Sequence, residues 1–123
     1  MKALFEIVAP DPGIDPRIRR ALEFMRAHCG EHLALARVAE HLGLSPWWFE
    51  HLLKSATGVT FADHLRNFRL MKAESFLLDW SLRIRQIAFC CGYESVPSFI
   101  RDFTRRYGMS PSRYRRRMFR KAA

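Results

Sequence analysis

The fold is decided by a stretch that occurs twice in altered form: "VAEHLGLSPWWFEHLLKSATG" (Val38–Gly58) and "IAFCCGYESVPSFIRDFTRRYG" (Ile87–Gly108). At an offset of 49, Val38 pairs with Ile87, Ala39 with Ala88 and Gly43 with Gly92. After the turn the offset becomes 50, pairing Phe49 with Phe99, Leu53 with Phe103 and Gly58 with Gly108. The second copy thus carries one extra residue in its turn. A helix-turn-helix needs a small residue where its helices cross, a turn residue that tolerates positive φ, and apolar anchors at helical spacing. Ala39, Gly43 and the set Val38, Leu42, Phe49 and Leu52 meet those needs in the first copy. Ala88, Gly92 and the set Ile87, Cys91, Phe99 and Phe103 meet them in the second. One such pattern occurs in many helical hairpins; two in tandem specify a repeat of helix-turn-helix units.

Outward from the repeat, every regular element reads as helix. Asp15 caps a helix that opens with Pro16, carries Ile18, Leu22, Met25 and Cys29 as an apolar stripe, and ends at Gly30. The next helix starts near Leu35, with Leu35, Val38, Ala39 and Leu42 on one face. Ser45 and Pro46 open the third, expected to bury Phe49, Leu52, Leu53 and Ala56 and to stop at Gly58. Residues 60–79 contain no Gly or Pro and predict one long helix carrying Phe61, Leu65, Phe68, Met71, Phe76 and Leu78. At about 1.5 Å per residue it would be roughly 28 Å long. Shorter helices follow over about 82–91 and 95–107, and Ser110-Pro111 opens a final basic one, "SRYRRRMFRK". The expected fold is all-α, with about seven helices. Residues 15–58 and 81–123 form two helix-turn-helix subdomains, 59–80 the connecting helix, and 1–14 a turn-rich leader or linker remnant.

The 123 residues suffice for one compact domain or two very small ones, and the net charge of +9 points to a polyanionic partner. Residues 80–123 hold eleven Arg and Lys against Glu94 and Asp102, a net of +9, whereas residues 1–79 hold ten of each sign. A uniformly basic protein would not divide in this way, so the electrostatic footprint belongs to the C-terminal part. A basic face kept for solubility is the competing reading.

With these features in place, the sequence resembles the DNA-binding domain of the AraC/XylS family of bacterial transcription regulators. The likeness runs from about Ile18 to Arg116. It is most specific in "IAFCCGYESVPSFIRDFTRRYGMSPSRYRR", which matches the family's Ile-Ala, Gly-Tyr/Phe, Phe, Phe, Gly and Ser-Pro-Tyr-Arg positions. "SPWWFEHLLKSATGVTFADHLRNFRLMKA" fits the first half. The resemblance implies two recognition helices, about 45–57 and 95–107, entering adjacent major-groove segments of double-stranded DNA. It also implies a transcription activator, either a stand-alone member or the C-terminal fragment of a longer regulator.

Opposite the core face of the first recognition helix lie Trp47, Glu50, His51 and Lys54. The resemblance places base contacts at Trp47, Glu50 and His51. Trp47 offers an apolar face to thymine methyls, Glu50 can accept from cytosine N4, and His51 can donate to a purine acceptor or a phosphate. His51 stands where the family more often has Arg, and Glu50 carries negative charge toward DNA, so weaker first-half binding and an unusual base preference are expected. Trp48, near the core boundary, is expected to pack. In the second recognition helix the stripe is Pro97, Ile100, Arg101 and Thr104. Arg101 is the candidate for bidentate guanine readout; Pro97, with Ile100, contributes methyl contact or shape readout at a position where the family often has a polar residue. Ser45 and Ser95 cap helices whose N-termini favour phosphate. Lys54, Arg85, Thr104, Arg105, Arg106, Arg113, Arg115 and Arg116 complete the candidate phosphate contacts, which position the protein and make binding salt-dependent. Arg117, Arg120 and Lys121 stand between that role and a solvated tail. A central helix shorter than the roughly 34 Å between adjacent major-groove segments would make the DNA bend.

Other classes find little support. Cys29, Cys90 and Cys91 have no metal-ligand spacing and suit a reducing compartment; Cys91 occupies the core position of Leu42, while Cys90 aligns with His41. His41, His51 and His64 form no metal pattern, and no nucleophile elbow, P-loop or dinucleotide fingerprint occurs. Neither cofactor, metal nor enzymatic activity is expected. No apolar run approaches the roughly 18 residues of a membrane span, and "MKALFEIVAP" is interrupted by Glu6 and is not read as a signal peptide. A monomer in the bacterial cytoplasm, bound to the nucleoid and touching RNA polymerase, is the expected setting. The alternative is a protein-interaction module that acts on RNA polymerase or another regulator without an operator of its own.

Overall fold

In a computed structural model of the protein, which describes residues 13–122, the described residues form seven α-helices and no strand. They are α1 (Pro16–His28), α2 (Leu35–Leu42), α3 (Pro46–Thr57), α4 (Phe61–Phe76), α5 (Ile84–Cys90), α6 (Val96–Tyr107) and α7 (Pro111–Ala122). The expected leader at 1–14 lies almost wholly outside the described residues. The chain divides into two compact units between Phe68 and Arg69, within α4.

The first unit is organised by α1, α2 and α3. Asp15 caps α1 by accepting from the Arg17 N–H at 2.8 Å, and Ile18, Leu22, Met25 and Cys29 are all buried. The α2–α3 turn is made at Gly43, where φ is +71°, a conformation that a side chain would strain. Its N–H donates to the Glu40 carbonyl and the Leu44 N–H to that of Ala39, which satisfies two carbonyls of the last turn of α2. Val38, Ala39, Phe49 and Leu53 are fully buried around this turn. Leu52 is only half-buried and Ala56 is exposed, contrary to the expected four-residue core face. The packed part of α3 is centred on Phe49 and Leu53, and the last turn leaves the core.

The start of α4 closes this unit with Phe61, Leu65 and Phe68. His64, on the same stretch, is wholly buried. Thr57 donates its hydroxyl to the Leu53 carbonyl at 2.8 Å, so the ring Nε2–H of His64 is the donor in the 2.9 Å bond to Thr57 Oγ1. His64 Nδ1 has no hydrogen-bond partner among the described residues. Burial lowers the His64 pKa to about 4, against a small opposing pull from the Asp63 charge.

The second unit repeats the frame. Ile87, Ala88, Cys91, Phe99 and Phe103 are buried where their repeat partners are, and Gly92 makes the turn at φ +93°. Gln86 accepts from the Arg83 N–H at 2.8 Å at the head of α5. The later part of α4 contributes Leu70 and Ala73, followed by Leu77 just beyond its end. Of the apolar stripe expected along this helix, Met71 is half-buried and Leu78 is exposed. The apolar stripe changes register after Phe68, because each part of α4 answers to a different core.

The expected helix over 60–79 is shorter, ending at Phe76, and its 16 residues span about 24 Å. Asp79 stops it: the carboxylate accepts from the Ser81 N–H at 2.9 Å and from the Ser81 hydroxyl at 2.6 Å, a local turn that competes with helix. These two hydrogen bonds hold the Asp79 carboxyl below its ordinary range. Tyr107 and Tyr114 pack with ring centroids 5.4 Å apart and planes 57° from parallel, between α6 and α7, and Tyr114 donates to Glu74 on α4. Burial, with the Glu74 carboxylate beyond it, pushes the Tyr114 hydroxyl up, so it remains a donor.

Candidate nucleic-acid interface

The first candidate reader is α3. Ser45 Oγ accepts from the Trp48 N–H at 3.1 Å, and Pro46 fills the first helical position, where no N–H is needed. With Phe49 and Leu53 committed to the core, Trp47, Glu50, His51 and Lys54 are all exposed. Trp47 is 64% exposed and stacks on His51 with ring centroids 4.1 Å apart. These four residues, with Ser55 and Thr60, line one shallow groove. Lys54 also donates to the Gly58 carbonyl at 2.9 Å, which ties its ammonium to the end of the helix while leaving two further donors.

Trp48 does not pack at the core boundary as expected. It is 44% exposed and lies 6.2 Å from Trp47, with the rings 26° from parallel. At the third position of α3 its side chain falls between the Phe49 core face and the Trp47 stripe, so it extends the aromatic surface. The doubled tryptophan was the available signal, since adjacent helical residues point about 100° apart.

The second candidate reader, α6, is built in the same way. Ser95 accepts from the Ser98 N–H at 3.3 Å, and Phe99 and Phe103 face the core. Pro97, Ile100, Arg101 and Thr104 are exposed. Arg101 stays 63% exposed, with its guanidinium 3.6 Å from Asp102, too long to occupy its donors. Asp102 is itself held by the Tyr93 hydroxyl at 3.1 Å. Ser95 is a poorer phosphate donor than expected, because its hydroxyl is engaged with Ser98 Oγ at 2.9 Å.

Among the cations proposed to meet phosphate, Arg85, Arg105, Arg113 and Arg116 are exposed. Arg106 is half-buried over the Tyr107 ring at 5.6 Å. Arg115, expected among the phosphate contacts, is buried. It is 6% exposed, donates from Nε to the Leu77 carbonyl at 2.9 Å and from Nη2 to the Asp79 carbonyl at 3.1 Å, and lies 5.3 Å from the Trp80 ring. Its donors bond to two carbonyls just beyond the end of α4, one of them (Asp79) also accepting from the Leu82 N–H, so this buried arginine holds the fold together and faces no phosphate. Periodicity could have separated it from its neighbours, for Arg115 falls on the side of α7 that carries Pro111 and Tyr114. Cys91 is buried and Cys90 exposed, both as free thiols. The described residues contain no group of three metal-ligating side chains and no helix long and apolar enough to cross a membrane.

A family model described as a helix-turn-helix domain matches residues 38–117. The chain is similar to the regulatory protein SoxS of Salmonella typhimurium, at 31% identity over 82% of this chain and 94% of that protein. It is similar to the regulatory protein PocR of Salmonella typhimurium, at 32% identity over 85% of this chain but only 34% of the relative, so it spans about a third of that protein. Among solved structures, a transcriptional regulator from Chromobacterium violaceum, described as an AraC-type DNA-binding domain-containing protein, matches with a TM-score of 0.77 at 28% identity. That match covers 81% of this chain and 89% of the other.

Proposed function

Because the chain belongs to the AraC-type family of helix-turn-helix transcription regulators, a family of DNA-binding proteins, we propose that it reads one duplex sequence with α3 and α6 in successive major-groove segments. The observation that carries this reading is the matched pair of exposed stripes, each backed by two fully buried apolar residues: Phe49 and Leu53 on α3, Phe99 and Phe103 on α6. Trp47 meets thymine methyls, Glu50 accepts from cytosine N4, and His51 donates to a purine or phosphate. Arg101 reads guanine, while Pro97 and Ile100 contribute apolar contact and shape. Ser45, Lys54, Arg85, Thr104, Arg105, Arg113 and Arg116 meet phosphates and set the register.

A selection on random duplexes at two salt concentrations tests the proposal. It should return two preferred segments about one helical turn apart, with affinity falling steeply as salt rises. A single preferred segment would remove one reader, and no binding at low salt would sink the reading altogether. We further read the protein as an activator that binds DNA as a monomer, bends it and contacts RNA polymerase, on the strength of the sequence resemblance. A phasing assay that leaves the DNA straight, or transcription that does not rise with added protein, would count against those parts separately.

A further inference from the structure

Of the three arginines at 115–117, Arg115 is buried while Arg116 and Arg117 are exposed, and this division extends to the end of α7. Arg113, Arg116, Arg117, Arg120 and Lys121 follow helical spacings of three and four and together line one depression on the second unit. The remaining side of the helix, with Pro111, Tyr114, Arg115, Met118 and Phe119, is buried or half-buried. Two anchors fix it there. Arg115 donates to the Leu77 and Asp79 carbonyls, and Phe119 packs on Trp80 with ring centroids 4.9 Å apart. The cationic stripe is therefore a set surface, held as far as its last turn.

Its charges are also uncompensated. The segment "PSRYRRRMFRKA" contains no acid, and none of the five cations has an ion-pair or hydrogen-bond partner among the described residues. In the first unit, by contrast, Arg17, Arg37 and Arg66 each meet a carboxylate at 2.7–2.9 Å. Like charges three and four residues apart disfavour a helix. Lys121 lies near the C-terminal end of α7, where cations are favoured, but Arg113 in the first turn is placed against the helix dipole. Such an arrangement is stabilised by a polyanion with closely spaced charge. The stripe rises about 12 Å from Arg113 to Lys121. Duplex DNA offers one phosphate per roughly 1.7 Å of axis, enough for several contacts over that distance.

We infer that this stripe, including Arg117, Arg120 and Lys121, is a third contact with DNA: a phosphate clamp that adds affinity without sequence preference. The inference rests on the DNA-binding reading above. The experiment compares the whole protein with the R116Q/R117Q/R120Q/K121Q variant and with R116K/R117K/R120K, leaving Arg115 intact. Affinity for a selected duplex and a scrambled one is measured across a salt series, with thermal melting to check the fold. The Gln variant should lose affinity equally on both duplexes. Its log–log salt slope should become shallower by about 2 to 3.5, as for two to four phosphates lost at roughly 0.9 each. The Lys variant should keep the wild-type slope. An unchanged slope in the Gln variant overturns the clamp, as does a loss confined to the selected duplex. Loss of binding to phosphatidylserine vesicles with an unchanged DNA slope would assign the stripe to a membrane surface and overturns it too. A W47A/R101A variant separates the two readings: it should lose preference between the duplexes and keep its slope, whether or not the clamp exists.

Discussion

The two helix-turn-helix copies share a frame and differ in almost everything laid over it. Val38 and Ile87, Ala39 and Ala88, and Phe49 and Phe99 are buried in the same places, and Gly43 and Gly92 turn with φ of +71° and +93°. On the surface the first copy presents two tryptophans, Glu50 and His51, while the second presents Pro97, Ile100 and Arg101. Their buried polar groups differ as well. The first unit encloses the neutral ring of His64 with one nitrogen unpartnered, and the second encloses the charged Arg115 with two carbonyl partners. Core volume and turn conformation constrain the frame tightly, because a cavity or a strained φ costs several kcal/mol. Exposed helical positions carry no such penalty, so the outward stripes of α3 and α6 can differ at no cost to the frame.

Equivalence of the frames is tested by Phe49→Ala and Phe99→Ala. Each should cost about 3–5 kcal/mol in urea unfolding, as expected for a large buried aromatic. A loss under about 1 kcal/mol at either site would show that one copy is not held by its phenylalanine.

The first unit should be the acid-sensitive one. Unfolded, His64 takes up a proton below about pH 6.5; folded, it does so only near pH 4. The unfolded state therefore binds more protons across that window, and stability falls as the pH drops from 6.5 toward 4, by on the order of 3 kcal/mol. His64→Leu should flatten this part of the pH profile in urea titrations at pH 7 and 4.5, and an undiminished slope would remove His64 as its source.

The second unit's buried cation gives a contrast within three residues. Arg115→Ala should cost about 2–3 kcal/mol through two lost charge-assisted hydrogen bonds, and Arg115→Lys should not restore it, since an ammonium cannot reproduce the guanidinium fork. Arg116→Ala should stay within about 0.5 kcal/mol in the same thermal or urea measurement. Similar losses at both positions would erase the distinction. In binding, Arg101→Ala should relax guanine preference at one position by about 1–3 kcal/mol, and Trp47→Ala should relax preference in the other segment. If both variants affect the same segment in a binding selection, the assignment of one reader to each segment fails.

The repeat made the order of the helices, their caps and the two paired cores legible. Ser45, Ser95 and the glycines after α2, α3 and α6 act locally, through hydrogen bonds and dihedral angles that the nearest residues decide. Residues whose burial departs from the local pattern share a cause. A single continuous stripe along α4 would place Met71 and Leu78 in the core, but α4 serves two cores and changes its inward face after Phe68. Trp48 looked like a core-edge residue because it is large and apolar, but the available space beside Phe49 was not in the local pattern. Arg115 looked like its neighbours because charge alone does not say which side of a helix will be buried.

From composition and spacing alone follow an all-helical chain, a duplicated helix-turn-helix, an exposed polar stripe on the second helix of each copy and a charge excess confined to the C-terminal part. These follow because helical periodicity, capping and net charge depend on residues close together in the chain. Which of three consecutive arginines becomes structural depended on carbonyls 36 and 38 residues away. Where the central helix stops was set by Asp79 turning on Ser81 and by that arginine closing the end. Tertiary contacts between distant segments decide such matters, because desolvation and hydrogen-bond satisfaction are settled only when the partners meet.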